Sequence, residues 1–183
     1  MEITKTLINN KLLKSFMIVM AGSILLAISA KIKIPFYPVP MTMQTFVVLI
    51  MGMAFGWKIG VATVSLYLFE GILGLPVFAG TPEKGIGLTY MMGPTAGYLV
   101  GFLIAVFLAG NLNFQKNIIE VFIKLLLCVS VIYIFGMFWL AVLIGWDKPI
   151  FELGAKPFLL AELFKLIILT LIAKKTILLR KII

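Results

Sequence analysis

The sequence has no histidine and a single cysteine, Cys128, among its 183 residues. The imidazole and thiolate ligands of zinc, haem and iron–sulfur sites are therefore almost entirely missing, and an internal disulfide is impossible. The one thiol lies within an apolar run, as is typical of a small packing residue. These absences predict no metal site and no cofactor.

Charged residues are also scarce. Only 13% of the residues are charged and 62% are hydrophobic, with a mean hydropathy of +1.16, whereas about a quarter of a soluble domain is charged. The composition indicates an integral protein whose surroundings are membrane lipid. Among the charged residues the acidic ones are the scarcer, with seven acidic and 16 basic residues. Because the basic residues stand at the ends of apolar runs, they predict membrane orientation and no nucleic-acid partner.

Motifs of enzymes are absent as well. Without histidine, a serine or threonine nucleophile would need Lys165 or a carboxylate as its base, and no nucleophile-elbow motif occurs. No Walker A motif occurs, so the chain is not expected to hydrolyse ATP. The sequence predicts that the protein is not an enzyme.

The chain divides into six apolar runs with short connections. At about 20 residues per membrane-spanning helix, they predict an all-α, six-helix integral membrane bundle that forms a single transmembrane domain over residues 1–183. The second run is short for a span, which favours a helix shielded by its neighbours. The runs are 15–30, 42–55, 57–73, 95–109, 118–144 and 158–172.

The basic residues predict the orientation of this bundle in a plasma membrane. With six crossings and a cytoplasmic N-terminus, ten of the 16 basic residues fall on the inner side and five on the outer side. This excess predicts that both termini are cytoplasmic. Three irregular segments then share the outer side, at 35–40, 71–98 and 146–157.

The segment 71–98 is the most irregular of the three. Glycines recur along it, and Pro76, Pro82 and Pro94 each remove a backbone donor. Irregular backbone is tolerated at membrane depth only where protein or a water-filled cavity shelters it. We therefore expect this segment to form the lid and wall of a binding cavity.

Three ionisable residues are candidates for an intramembrane position: Glu70, Glu162 and Lys165. A charge at mid-bilayer costs at least about 2.5 kcal/mol on insertion scales, so such residues are candidates for function. Glu162 and Lys165 are three residues apart and can pair on one helix face, either to bind a polar ligand or to neutralise each other. Glu70 precedes the irregular segment, where hydrogen bonds to loop N–H groups are favoured over ligand contact.

Other candidates lie at helix starts. Gln44 offers both a donor and an acceptor to an amide-like group, with helix capping as the alternative role. The stretch Gly93-Pro-Thr-Ala-Gly-Tyr98 begins a helix whose free N–H groups suit a carboxylate or carbonyl. An apolar wall around a flat ligand could come from the aromatic residues of the outer segments, namely Phe36, Tyr37, Phe78, Tyr90 and Tyr98.

A strip of small residues marks the first run. Ser23, Ala27 and Ala30 recur at helical spacing, which allows two helices to approach closely. The strip predicts either packing inside the bundle or docking to a helix of a partner protein.

Four stretches resemble the BioY family of biotin transporters, the substrate-binding S components of energy-coupling factor transporters. They are 39–44, 70–80, 93–98 and 157–165, in that order, and the similarity extends over essentially the whole chain. Two departures stand out. Glu162 occupies the place of the family's usual aspartate, and Thr81-Pro-Glu-Lys-Gly85 replaces a glycine-rich loop.

The resemblance implies that the protein binds biotin on the outer side and delivers it to the cytoplasm. Glu162 and Lys165 would meet polar ends of biotin, and we expect Lys165 to pair with the carboxylate while Glu162 accepts the ureido N–H groups. Transport in this scheme needs a transmembrane coupling protein and ATPase subunits. The other implied ligand contacts are Gln44, Val77, Phe78, Ala79, Gly80, Gly93, Thr95, Gly97 and Tyr98.

Two other functions remain open at this point. The chain could be a secondary carrier for another small carboxylate, driven by protons through Glu70 or Glu162. An intramembrane enzyme is the other alternative, against which the missing histidine and nucleophile motif stand.

Overall fold

The computed structural model describes residues 2–80, 85–115 and 117–182, with side chains for 11–80, 85–115 and 117–180. Pro82, Lys84, Lys116 and most of the 81–85 loop lie outside the described residues. The helices are α1 Glu2–Lys31, α2 Gln44–Ile72, α3 Leu88–Met91, α4 Ala96–Asn111, α5 Ile118–Ile144, α6 Ile150–Gly154 and α7 Leu159–Leu178. Strands β1 Lys33–Ile34 and β2 Met41–Thr42 form a two-residue antiparallel ribbon, and 3-10 turns cover Lys156–Phe158 and Leu179–Ile182.

Helix α2 reverses direction at Gly56. The φ of 77° and ψ of 173° at Gly56 are not helical, and such angles are essentially confined to glycine. The side chains of Gln44 and Tyr67 meet in a 2.7 Å hydrogen bond, although a straight helix would separate these residues by about 35 Å. Residues 44–55 and 57–72 are therefore two antiparallel arms of a helical hairpin.

The six predicted runs appear as α1, the two arms of α2, α4, α5 and α7, so the all-α fold is confirmed. By length and composition, three helical segments could cross a membrane: Lys11–Lys31, Gln44–Ile72 and Ile118–Ile144. The second of these is folded in half, and its arms measure only about 18 and 24 Å. Both are shorter than the roughly 30 Å hydrocarbon core, so neighbouring helices must cover their ends.

Glycines set the close packing between successive helices. A Cβ on Gly52 of α2 would lie 2.7 Å from the Val106 carbonyl of α4, and one on Gly101 of α4 would lie 2.7 Å from Ile132 Cα of α5. Small residues let helix backbones approach in this way where the hydrophobic effect between helices is weak. The α2 hairpin, α4 and α5 therefore form the tightly packed centre of the protein.

The small-residue strip of α1 faces into the bundle. Ser23 and Ala30 are fully buried, Ala27 is half-buried, and the Ser23 hydroxyl donates a hydrogen bond to the Glu70 carboxylate of α2. Internal packing is thus the role that the structure supports. Docking to a partner helix through Ser23 or Ala30 is not favoured in this fold, because both side chains are buried, whereas Ala27 remains partly accessible.

The two ends of the bundle differ in character. At one end lie the ribbon, the irregular segments 73–80 and 85–95, and α6. At the other end, the Arg180 guanidinium donates to the carbonyls of Met53 at 2.8 Å and Gly110 at 3.0 Å. These carbonyls belong to the last turns of the first α2 arm and of α4, where helix carbonyls lack partners.

The Gly56 reversal can be tested by Gly56→Ala. No atom lies within 4 Å of the position of an added Cβ, so the cost comes from backbone strain alone. We expect a loss of about 1–3 kcal/mol in unfolding free energy, measured by reversible unfolding in mixed micelles. Equal stability of the Gly56→Ala protein and the wild type would contradict the hairpin.

Candidate functional site

A cavity lies at the irregular end, between the first arm of α2, α4, α5 and α7. The ribbon covers it from one side and the loop 77–80 from another. Its lining is mostly apolar and aromatic, with a few hydroxyl, amide and carboxylate groups, the composition typical of small-molecule sites. The cavity therefore lies at the end of the bundle where the backbone is irregular.

An ion pair at the start of α7 supplies the charge of this site. Lys165 Nζ lies 2.8 Å from Glu162 Oε1, and both residues are buried, with exposed fractions of 6% and 5%. Lys165 also donates to the Thr42 carbonyl at 2.6 Å and to Thr45 Oγ1 at 3.0 Å. Its three donors are therefore all used by the protein, as a buried ammonium requires.

Only the acidic partner of this pair faces the cavity. Glu162 lines the cavity and receives a 2.9 Å hydrogen bond from Thr45 Oγ1. The Tyr133 hydroxyl of α5 also interacts with this carboxylate. Lys165 does not line the cavity and faces the ribbon instead. The site thus presents a carboxylate acceptor held in place by a lysine behind it.

Gln44 connects the cavity to the loop. It is buried and lines the cavity, and its Nε2 donates to the Tyr67 hydroxyl at 2.7 Å. Tyr67 in turn donates to the Val77 carbonyl at 3.2 Å. Val77 therefore contributes its backbone to this chain of hydrogen bonds, and its side chain does not line the cavity.

The loop side chains Phe78 and Ala79 form part of the cavity wall. The Phe78 ring stacks on Tyr90 at 4.7 Å between centroids and covers Gly71, where a Cβ would lie 2.0 Å from the ring. Gly80 N–H donates to the Tyr90 hydroxyl at 3.2 Å. Burial raises the pKa of Tyr90 above its usual 10.0, so this hydroxyl stays neutral. Gly80 therefore holds the loop in place through its hydrogen bond to Tyr90, although it does not itself line the cavity.

The start of α4 supplies another face of the cavity. Thr95 and Tyr98 line it, and the Tyr98 hydroxyl donates to the Gly154 carbonyl of α6 at 2.7 Å. Gly93 accepts a 2.9 Å hydrogen bond from the Trp139 indole. Gly97 packs against α5, where a Cβ would lie 2.4 Å from the Phe135 carbonyl. These two glycines position the helix and do not line the cavity.

Several lining residues escaped sequence reasoning: Thr45, Phe102, Ile132, Tyr133 and Phe158. Four of them are apolar or aromatic residues within apolar runs, where nothing distinguishes a cavity-facing residue from a packed one. Thr45 directly follows Gln44 and could have been included. Conversely, two of the aromatic residues predicted for the cavity wall do not line the cavity. Phe36 packs against the lining residue Phe158, and Tyr37 is 87% exposed.

Glu70 lies away from the cavity. Its carboxylate accepts the Ser23 hydroxyl of α1 rather than loop N–H groups, while its backbone carbonyl receives Leu75 N–H at 3.1 Å. Its role is structural, as the sequence predicted, but the partner of its carboxylate is Ser23 and not the loop backbone. Within the part of the chain that the structure describes, no group of three or more potential metal-ligating side chains occurs.

The buried ion pair of Glu162 and Lys165 allows the geometry of the site to be tested without a ligand. Lys165→Met leaves an unpaired carboxylate and should cost about 3–5 kcal/mol of unfolding free energy. The double variant Glu162→Gln/Lys165→Met should be more stable than Lys165→Met alone, because no uncompensated charge remains. Reversible unfolding in mixed micelles measures all three proteins.

A matched control comes from the exposed pair Lys156–Glu152, whose side chains are 62% and 59% exposed. Lys156→Met should cost less than about 1 kcal/mol. If the double variant is no more stable than Lys165→Met, the two charges are not coupled as described.

Comparison with known proteins places this cavity in a family context. A family model described as the BioY family matches residues 3–181. A "probable biotin transporter BioY" from Pyrococcus horikoshii is 36% identical over 151 residues, covering 82% of this chain and 88% of that protein. The "biotin transporter BioY" of Thermotoga maritima is 35% identical over 150 residues, covering 81% and 87%.

The fold has a counterpart among solved structures. A crystal structure of the S-component for biotin from an ECF-type ABC transporter superposes with a TM-score of 0.76 at 24% identity, covering 91% of this chain and 92% of that one. At this identity the likeness concerns the fold. Together with its apolar helices, it describes a multi-pass membrane protein.

Proposed function

The chain belongs to the BioY family, and we propose on this basis that it binds biotin and imports it across the membrane. This family is one of transporters rather than enzymes. Both sequence relatives described above carry the name biotin transporter. The predicted function and the family membership therefore point to one ligand.

The observation that carries the proposal is the Glu162 carboxylate in a cavity that is lined mostly by apolar and aromatic residues. Biotin combines an apolar bicyclic ring with a ureido group that has two N–H donors. The Glu162 carboxylate, paired with Lys165 at 2.8 Å, is an acceptor for these donors, and hydrogen bonds to a carboxylate are stronger than those between neutral groups. Phe78, Tyr90 and Tyr98 provide flat apolar surface for the ring.

Two orientations of the biotin carboxylate follow from the site. In the first, which the sequence suggests, the carboxylate pairs with Lys165, and the lysine must then release a protein partner. In the second, it lies at the start of α4 near Thr95, where helix N–H groups favour an anion. The full set of hydrogen bonds already made by Lys165 favours the second orientation.

A binding titration with detergent-purified protein tests the function. Biotin should bind, and Glu162→Gln should weaken it by about 10- to 100-fold, because a charged acceptor becomes neutral. Isothermal calorimetry provides the measurement, with Glu152→Gln as the exposed-carboxylate control. Absence of biotin binding to the wild type would overturn the proposal.

The two orientations are separated by comparing biotin with biotin methyl ester in Lys165→Met. If Lys165 pairs with the carboxylate, the variant loses more affinity for biotin than for the ester. If the carboxylate lies near Thr95, both ligands lose affinity equally in Lys165→Met. Each outcome rejects one orientation.

We further propose that both termini are cytoplasmic and that import is powered through a transmembrane coupling protein and ATPase subunits. The fold likeness to an S-component supports this arrangement. Since Ser23 and Ala30 are buried, we propose that any contact of the coupling protein with α1 uses other side chains of that helix. An outward-facing apolar stripe there contains Phe16, Met17, Met20 and Ile24.

The alternative is a proton-coupled carrier that uses Glu162, the carboxylate inside the cavity. Uptake of labelled biotin into liposomes that contain this protein alone separates the two cases. An ATP-powered subunit should give no accumulation under an imposed proton gradient. Accumulation that is abolished by collapsing the gradient would support the carrier.

A further inference from the structure

Three successive carbonyls of the loop, at 77–79, each accept a hydrogen bond from a side chain outside the loop. The Val77 carbonyl accepts the Tyr67 hydroxyl at 3.2 Å. The Phe78 carbonyl accepts Lys31 Nζ at 2.8 Å, and the Ala79 carbonyl accepts Lys33 Nζ at 2.7 Å. No regular secondary structure is present at 77–79 to satisfy these groups, so the side chains take that role.

The direction of the two lysines is informative. Lys31 occupies the last turn of α1, where a lysine commonly interacts with the terminal carbonyls of its own helix. Its ammonium instead reaches a carbonyl 47 residues further along the chain. Lys33 does the same from β1, across 46 residues.

These contacts join the two covers of the cavity. Lys33 belongs to β1, which pairs with β2 at Lys33–Thr42 and Ile34–Met41, and the β2 residues Met41 and Thr42 line the cavity. Phe78 and Ala79, whose carbonyls the lysines hold, line it from the loop side. The loop is therefore connected to the ribbon by Lys33 and to the end of α1 by Lys31.

The lysine contacts also differ from the Tyr67 contact in how readily they can break. Tyr67 is fully buried, so its hydroxyl has no water to replace Val77. All three hydrogen bonds are partly buried, but both lysine side chains are exposed overall, so water can replace a lysine donor more readily than it can replace Tyr67. The wall thus has a less accessible anchor at Val77 and two more readily released ones beside it.

We propose that Lys31 and Lys33 are positioning residues that hold Phe78 and Ala79 against bound ligand and set the rate at which it leaves. This inference rests on the proposed biotin-binding function of the same cavity. Neither lysine itself lines the cavity, so each acts through the backbone carbonyl of a residue that does. Loss of both contacts frees the wall to move outward while Val77 stays anchored.

The test measures the dissociation rate of labelled biotin from purified Lys31→Met, Lys33→Met and the double variant in lipid nanodiscs. Each single substitution should raise the dissociation rate by about tenfold, which corresponds to the loss of one of the weaker hydrogen bonds made by a charged group. The double variant should raise the dissociation rate further. The association rate should not fall, because the cavity itself is intact. Lys31→Arg/Lys33→Arg should keep the slow rate, since arginine retains donors at these positions.

Lys156→Met serves as the control, because it removes an exposed lysine whose partner is Glu152 rather than the loop. Its dissociation rate should equal that of the wild type. A wild-type rate in the double methionine variant, or a tenfold increase in Lys156→Met, would overturn the inference. Failure of the arginine variant to retain biotin would also overturn it.

A measurement without ligand separates this inference from the proposed function. Hydrogen–deuterium exchange of a peptide covering residues 73–80 should be faster in the double methionine variant than in the wild type, with exchange in α5 unchanged. If the wild type does not bind biotin, the proposed function fails, yet faster exchange still supports the lysine contacts. Unchanged exchange at 73–80 rejects them whatever ligand the protein binds.

Discussion

Every polar group buried at membrane depth needs a partner within the protein, because lipid offers none. This constraint explains the main contacts of the structure. Lys165 satisfies its ammonium with Glu162, Thr45 and the Thr42 carbonyl, and the loop 77–79 satisfies its carbonyls with side chains of α1, β1 and α2. The cavity can form at this end because the buried polar groups on both of its sides already have hydrogen-bond partners within the protein.

The same constraint acts at the opposite end of the bundle. The α2 hairpin stops short of a full crossing, and the carbonyls at the end of its first arm would lack partners. Arg180 donates to two of them, Gly52 and Met53, and to Gly110 at the end of α4. These carbonyls are thereby satisfied by a side chain, and the site described above lies at the other end, which carries the ribbon and loop.

Sequence reasoning reached the fold but only part of the site. The apolar runs and the break at Gly56 were readable, since helix length and glycine placement are local properties. Glu162 was found because a buried charge is rare. The inward turn of Ser23 onto Glu70, the place of Lys165 behind Glu162 and the cavity-facing side of Tyr133 were not readable. They depend on which faces of separate helices meet, and apolar runs such as that of α5 carry too little periodicity to tell.

By itself, the sequence determined that this chain is a bundle of apolar helices, that glycine and proline interrupt it on one side, and that a carboxylate and an ammonium share a face of α7. Those properties follow from composition and from spacings of a few residues. Only the tertiary structure decided which of the two charges reaches the cavity and which lysines hold its wall. Contacts such as Lys31 with Phe78 span 47 residues, and their geometry arises only when α1, the ribbon and the loop are brought together by packing.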